Sequence, residues 1–291
     1  MIPHTVTQEG LLLNYLFNHF PKLKKTKIRQ LLKFGSVAVN GLITTSHNHP
    51  LHVGDTVTFL SKESARSEQA KRRLSFPILY EDEFLIVIDK PEGLLTMGTE
   101  KDKIHTAYYE LTQYVREKSI NGRGRVFIVH RLDRDASGVV VFAKDEKTKI
   151  FLQENWNEAI KRYYALVEGV PAKPSGKIES YLTEDKFKRV YSTPERSRDA
   201  KHAVTLYKVL RECGPYALLE TTLVTGRKNQ IRVHLADLGH PIAGDEKYGS
   251  RTNPAGRLGL HACLLAFKHP NTGEPKVFES PLPAAFAKVA R

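Results

Sequence analysis

The sequence predicts an α+β protein with a mixed or largely antiparallel sheet. Apolar runs of strand length recur along the last two thirds of the chain, and helical patterns lie between them without strict strand–helix–strand alternation. A charged, aromatic-free stretch at 61–74 sets a small α/β unit apart at the N-terminus. The 291 residues leave room for about two domains.

Residues 8–20 carry Leu12, Tyr15, Leu16 and Phe20 at helical spacing. A second helical stretch, 24–34, would bury Ile28, Leu31 and Leu32 and present Lys24, Lys25, Lys27 and Lys33 on its other face, with Gly35 as a stop. Val37 to Val39 reads as a short strand, Asn40-Gly41 as a two-residue hairpin turn, and Thr56 to Leu60 as a further strand. A new core begins at Phe76. Phe84–Ile88, Val139–Phe142, Tyr163–Val167 and Ala217–Val224 read as buried strands, and 104–117 and 146–160 as helices. The expected division is a domain at 8–60, a linker at 61–75 and a second domain at 76–291. There is no internal repeat.

Composition narrows the function classes. Hydrophobic residues make up 41%, and no apolar run approaches the roughly 20 residues that span a bilayer. The N-terminus lacks the basic start and apolar stretch of a signal peptide, so the cytoplasm is the expected compartment. Cys213 and Cys263 form no CxxC pair and are expected to be reduced and buried. Lys and Arg total 45 against 32 Asp and Glu, and the pI near 9.6 suits a nucleic-acid partner. Membrane binding is disfavoured, since no segment is both basic and amphipathic with aromatic anchors. His47, His49 and His52 lack Cys or acidic companions at ligand spacing and read as a polar loop, so no metal is expected.

Two constellations carry chemistry. His130-Arg131-Leu132-Asp133-Arg134-Asp135-Ala136-Ser137-Gly138 is a polar loop entering a buried strand. Most such Asp–Arg clusters are surface ion pairs, but a loop on a rigid strand is also where a catalytic carboxylate held by arginine would sit. Thr225-Gly226-Arg227-Lys228-Asn229-Gln230-Ile231-Arg232-Val233-His234 opens a helix that Gly239 ends. Alone it would read as a basic, solvated helix start, a place that favours anions such as phosphate.

The first loop resembles the signature of the RluA-type pseudouridine synthases, which usually reads HRLD-x-x-TSG before an apolar strand. Val87-Ile88-Asp89-Lys90-Pro91-Glu92-Gly93 is similar to that family's lysine-proline turn, Lys161-Arg162-Tyr163 to its lysine-x-tyrosine motif, and Thr225 to Gly249 to its most distinctive stretch. Leu260-His261-Ala262 and His269-Pro270 resemble the closing segment. Residues 10–60 separately resemble the αL RNA-binding fold often fused to these enzymes, and Pro21–Lys33 holds six Lys or Arg and no acid. Ala136 stands where threonine is usual, Asn229 where histidine is usual, and Lys24-Lys25 where Ser-Arg is common.

The resemblance implies isomerisation of uridine to pseudouridine in structured RNA, with no cofactor. It implies Asp133 as the essential carboxylate, acting as nucleophile or assisting glycosidic cleavage. Arg232 would pair with it, Tyr163 would lie against the base, and Arg131 would help displace the base from its helix. Lys24, Lys25, Lys27, Arg29, Arg227 and Lys228 would meet phosphates. Large-subunit ribosomal RNA is the favoured substrate; transfer RNA, or a binding factor on a retired synthase fold, are the alternatives. A monomer is expected.

Overall fold

The computed structural model describes residues 3–60, 74–100, 102–119, 122–193 and 199–290. The chain forms two compact units, residues 1–75 with 111–125, and residues 76–110 with 126–291. Of the expected linker, 61–73 lies outside the described residues.

In the first unit β1 (His4–Thr5), β2 (Gly10–Leu11), α1 (Leu12–His19) and α2 (Lys25–Lys33) precede β3 (Val37–Val39), β4 (Leu42–Ile43), β5 (Pro50–Leu51) and β6 (Thr56–Phe59). The strands form a sheet in the order β1-β6-β3-β4 and a separate β2-β5 ribbon. The helix expected over 8–20 starts later, because Gly10 and Leu11 pair with Leu51 and Pro50 instead. Asn40 and Gly41 both adopt positive φ, 50° and 77°, which turns β3 into β4. Leu12, Leu16, Ile28, Leu32, Val37 and Val57 form the core. Lys24, Lys25, Lys27, Arg29 and Lys33 all remain exposed.

The second unit is built on one sheet. Its early strands are β7 (Ile78–Glu81), β8 (Leu85–Lys90), β9 (Phe127–Ile128), β10 (Ser137–Ala143) and β11 (Ile160–Glu168). Then come β12 (Ser175–Glu184), β13 (Val190–Thr193), β14 (Lys201–Cys213), β15 (Tyr216–Leu223), β16 (Leu260–Lys268) and β17 (Pro275–Glu279). The order is β13-β12-β14-β15-β11-β16-β10-β8-β7, with β17 also on β16 and β9 also on β10. Pairing is antiparallel except between β10 and β16. Its helices are α4 (Glu146–Glu154), α5 (Gln230–Asp237) and α6 (Ala284–Val289), while α3 (Ala107–Lys118) starts here and from Leu111 onward is grouped with the first unit.

Every residue of β10 is buried. Val139 and Val141 join Leu85, Val87, Leu152 and Leu265 in one apolar cluster. Asp145 caps α4 by accepting from Thr148 N at 2.8 Å. This helix ends at Glu154, short of the expected 160, because the chain must turn and extend into β11 at Ile160. Gly138 is where the signature loop becomes strand. Its φ is +113°, and a Cβ there would lie 2.1 Å from the carbonyl oxygen of Ala262 on β16. Only glycine allows this approach and conformation together.

Candidate active site

A cavity of about 620 Å³ opens where the loop before β10, strand β11 and the approach to α5 converge. The loop contributes His130, Arg131 and Asp133; β11 contributes Lys161 and Tyr163; the α5 segment contributes Arg227 to Arg232. β16 lies between β10 and β11 in the sheet, so strands that begin at Ser137 and Ile160 flank one that does not begin until Leu260.

The Asp133 loop is clamped from below. The Thr96 hydroxyl donates to Leu132 O at 3.0 Å and accepts from Leu132 N at 3.2 Å. The fully buried Lys90 donates to the carbonyls of Pro91, Leu94 and Arg134 at 2.8, 2.8 and 3.0 Å. The lysine-proline turn thereby ties itself to the signature loop. Burial pushes the Lys90 pKa down to about 8, with Asp135 opposing the shift.

Arg232 lies within the first turn of α5 and holds two carboxylates at once. Its Nη1 donates to Asp133 Oδ2 at 3.0 Å. Its Nε and Nη2 donate to Oδ2 and Oδ1 of Asp245 at 2.6 and 2.7 Å, a bidentate pair. The Asp245 side chain is 1% exposed and that of Asp133 is 30% exposed. The inner acid is thus sealed and the outer one faces the cavity. Burial opposes the Arg232 charge, but Asp245 and then Asp133 outweigh it, so its pKa is raised. The ring of Tyr248 lies 5.0 Å from the guanidinium carbon.

Tyr163 is 9% exposed and lines the cavity at a bulge in the β11–β16 pairing. Burial, and secondarily Asp133, raise its pKa above the ordinary phenol value, so it stays a neutral phenol. His130 packs against Trp156 in a tilted pair with ring centres 4.5 Å apart, and its Nε2 accepts from Val141 N at 3.2 Å. Burial first and Lys161 second push its pKa down to about 3.

The remaining sequence candidates sit at the periphery. Arg131 is exposed at the cavity, with Nη1 on Met97 Sδ at 3.3 Å. Arg227 is exposed and donates through Nε to His202 O at 3.0 Å. Lys228 pairs with Glu184 at 2.7 Å. Lys24, Lys25, Lys27 and Arg29 belong to the other unit, on or beside α2. Sequence reasoning missed Asp245, Tyr248 and Trp156. Asp245 and Tyr248 stand inside the distinctive Thr225–Gly249 stretch, and Trp156 is the sole tryptophan of the chain.

A cavity lined by an arginine-held carboxylate and a neutral tyrosine has the features of an enzyme site. Residues 84–237 match the model of the family described as RNA pseudouridylate synthase. An uncharacterized RNA pseudouridine synthase of Bacillus subtilis is 36% identical over 269 residues, 91% of this chain and 88% of that protein. The ribosomal large subunit pseudouridine synthase D of Vibrio cholerae is 31% identical, covering 91% and 85%. The solved human RNA pseudouridylate synthase domain containing 4 superposes with a TM-score of 0.61 at 27% identity, over 76% of this chain and 92% of that one. The chain belongs to the RNA pseudouridylate synthase family. Within it the chain is of the RluA type, an isomerase that makes pseudouridine in RNA.

Proposed function

We propose that Asp133 is the catalytic carboxylate and that the substrate is large-subunit ribosomal RNA. The Asp245–Arg232–Asp133 line carries the first part, because it fixes one carboxylate at the cavity with a cation that is itself anchored from behind. In the reaction the C1′–N1 bond breaks, the uracil turns, and a C1′–C5 bond forms. C5 loses a proton and N1 gains one, so no electrons are exchanged. Asp133 serves either as nucleophile or by assisting cleavage and deprotonation, and both roles need it charged. Tyr163, a neutral aromatic beside it, packs on the base. Arg131, exposed at the cavity, helps hold the base out of its helix.

The ribosomal target is supported by the name of the Vibrio cholerae relative. The N-terminal unit is an αL-type RNA-binding module, supported by its two-helix and small-sheet architecture and its exposed cations. We assign residues 8–60 to the module and 76–291 to the catalytic domain, whereas the compact units group 111–125 with 1–75. The protein works as a cytoplasmic monomer; no helix among the described residues is long and apolar enough to cross a membrane.

Asp133→Asn tests the chemistry, since asparagine keeps the shape and removes the charge and nucleophilic oxygen. Incubation with unmodified ribosomal and transfer RNA, followed by chemical detection of pseudouridine, should show conversion at background. Conversion at the wild-type rate would remove Asp133 from the mechanism. Modification of transfer RNA alone would move the substrate.

A further inference from the structure

Asp133 has a second neighbour besides Arg232. The carboxamide of Asn229 sits between the Asp133 carboxylate and the Tyr248 hydroxyl. Which end of the amide faces which partner follows from the hydrogen-bond chain around it. Tyr248 Oη lies 3.3 Å from the backbone N–H of Val190, which can only donate. The tyrosine proton is therefore free to point the other way, at Asn229. With its oxygen accepting from Tyr248 at 2.9 Å, the amide turns its NH2 to Asp133, 3.0 Å from Oδ2 and 3.1 Å from Oδ1. The opposite orientation would set the amide oxygen against two carboxylate oxygens with no proton between them.

The backbone is shaped for this placement. Asn229 is the N-cap of α5 with φ +53°, and its side chain makes no capping bond. Asparagine tolerates this left-handed conformation, and its short side chain reaches sideways to Asp133 instead of forward along the helix. Tyr248 is buried and serves both supports, its ring under Arg232 and its hydroxyl behind Asn229.

We propose that Asn229, oriented by Tyr248, is a positioning residue for Asp133. It is a neutral donor that straddles both carboxylate oxygens and, with Arg232, fixes the carboxylate's rotation. This rests on Asp133 being the catalytic group. Arg232 alone grips one oxygen and leaves rotation about the Cβ–Cγ bond open, whereas a donor reaching both oxygens closes it. Being uncharged, the amide supplies this restraint at any pH the protein survives.

Asn229→Gly is the cleanest probe, because glycine keeps the positive φ and removes only the amide. It should lower kcat about 10- to 100-fold, the range for losing a hydrogen bond to a charged group. KM for RNA should stay within about twofold, and the acidic limb of the rate profile should move up by roughly one pH unit. Asn229→Asp places a second carboxylate against the first and should move that limb further. Asn229→His, which restores a donor, should recover much of the rate. Tyr248→Phe keeps the ring and should reproduce a fraction of the Asn229→Gly loss. The double variant should be no worse than Asn229→Gly alone, because both changes act through one amide.

A wild-type kcat and an unmoved acidic limb in Asn229→Gly would overturn the proposal. So would fully additive losses in the double variant. Thermal melts run alongside identify a variant that fails to fold, in which case Tyr248→Phe decides by the same profile. Asp133→Asn belongs in the same series: if it stays active the reading of the site fails, whereas an inactive Asp133→Asn beside a wild-type Asn229→Gly defeats the positioning role alone.

Discussion

At the scale of single residues, Arg232 links a sealed carboxylate to the proposed catalytic one. It neutralises Asp245, which is 1% exposed, and holds Asp133, which is reachable. Arg232→Met would leave a buried carboxylate without its cation, at a cost of about 3–5 kcal/mol. Thermal melting should show that loss, and pseudouridine formation should fall at least about 100-fold in whatever folds. Arg232→Lys retains the charge but loses the planar fork to Asp245. It should melt between the two and keep measurable activity. A methionine variant with full activity would show that the pairing is incidental. Asp133 and Arg232 were both legible in the sequence, because each stands in a motif whose neighbours fix its place. Asp245 was not. Its role depends on being sealed behind Arg232, and sealing is a tertiary fact that no local spacing encodes.

At the scale of elements, α2 presents cations that Phe17 helps to hold. Lys25 and Arg29 lie 5.4 and 5.3 Å from its ring centre. Such a face should meet phosphates without reading sequence. Exchanging Lys24, Lys25, Lys27 and Arg29 together for Gln should weaken RNA binding and flatten its salt dependence, lowering the slope of log K against log salt by roughly 3. The salt titration should change far more than kcat at saturating RNA, and an unaltered slope would refute the role. This helix and the apolar strands were legible because their periodicity is strong. β12, β13 and β14 were not. Along β12 exposure alternates between partial and full, with Leu182 its sole buried residue, so no continuous apolar run announces it. The 146–160 pattern misled for a related reason. Phe151, Leu152, Trp156 and Ile160 carry a helical period, yet Asn155 ends the helix at a turn into β11.

At the scale of the whole molecule, buried histidines set the acid limit. His234 is held neutral between the hydroxyls of Ser180 and Thr205 at 3.0 and 2.8 Å. His261 meets the Ser137 hydroxyl at 2.7 Å. Burial lowers both pKa values to about 4. The unfolded chain binds these protons near the ordinary value of about 6.5, so below it acid favours unfolding. Stability should therefore fall as pH drops from about 6 to 4, by up to about 2.7 kcal/mol per pH unit from the pair. Above about 7 neither histidine contributes a slope. Denaturant melts across this range measure it directly, and a flat profile between pH 6 and 4 would contradict it.

The parallel seam between β10 and β16 has a consequence in time. Asp133 and Tyr163 are synthesised early and close together, but the strand that seats them side by side begins at Leu260. A growing chain emerges N-terminus first, and its long-range pairings wait for their partners. The cations of α2 are complete by residue 33, so the RNA contact proposed for them would be available long before the site is assembled. A chain interrupted before Leu260 would lack the strand that joins β10 to β11 and should form no pseudouridine.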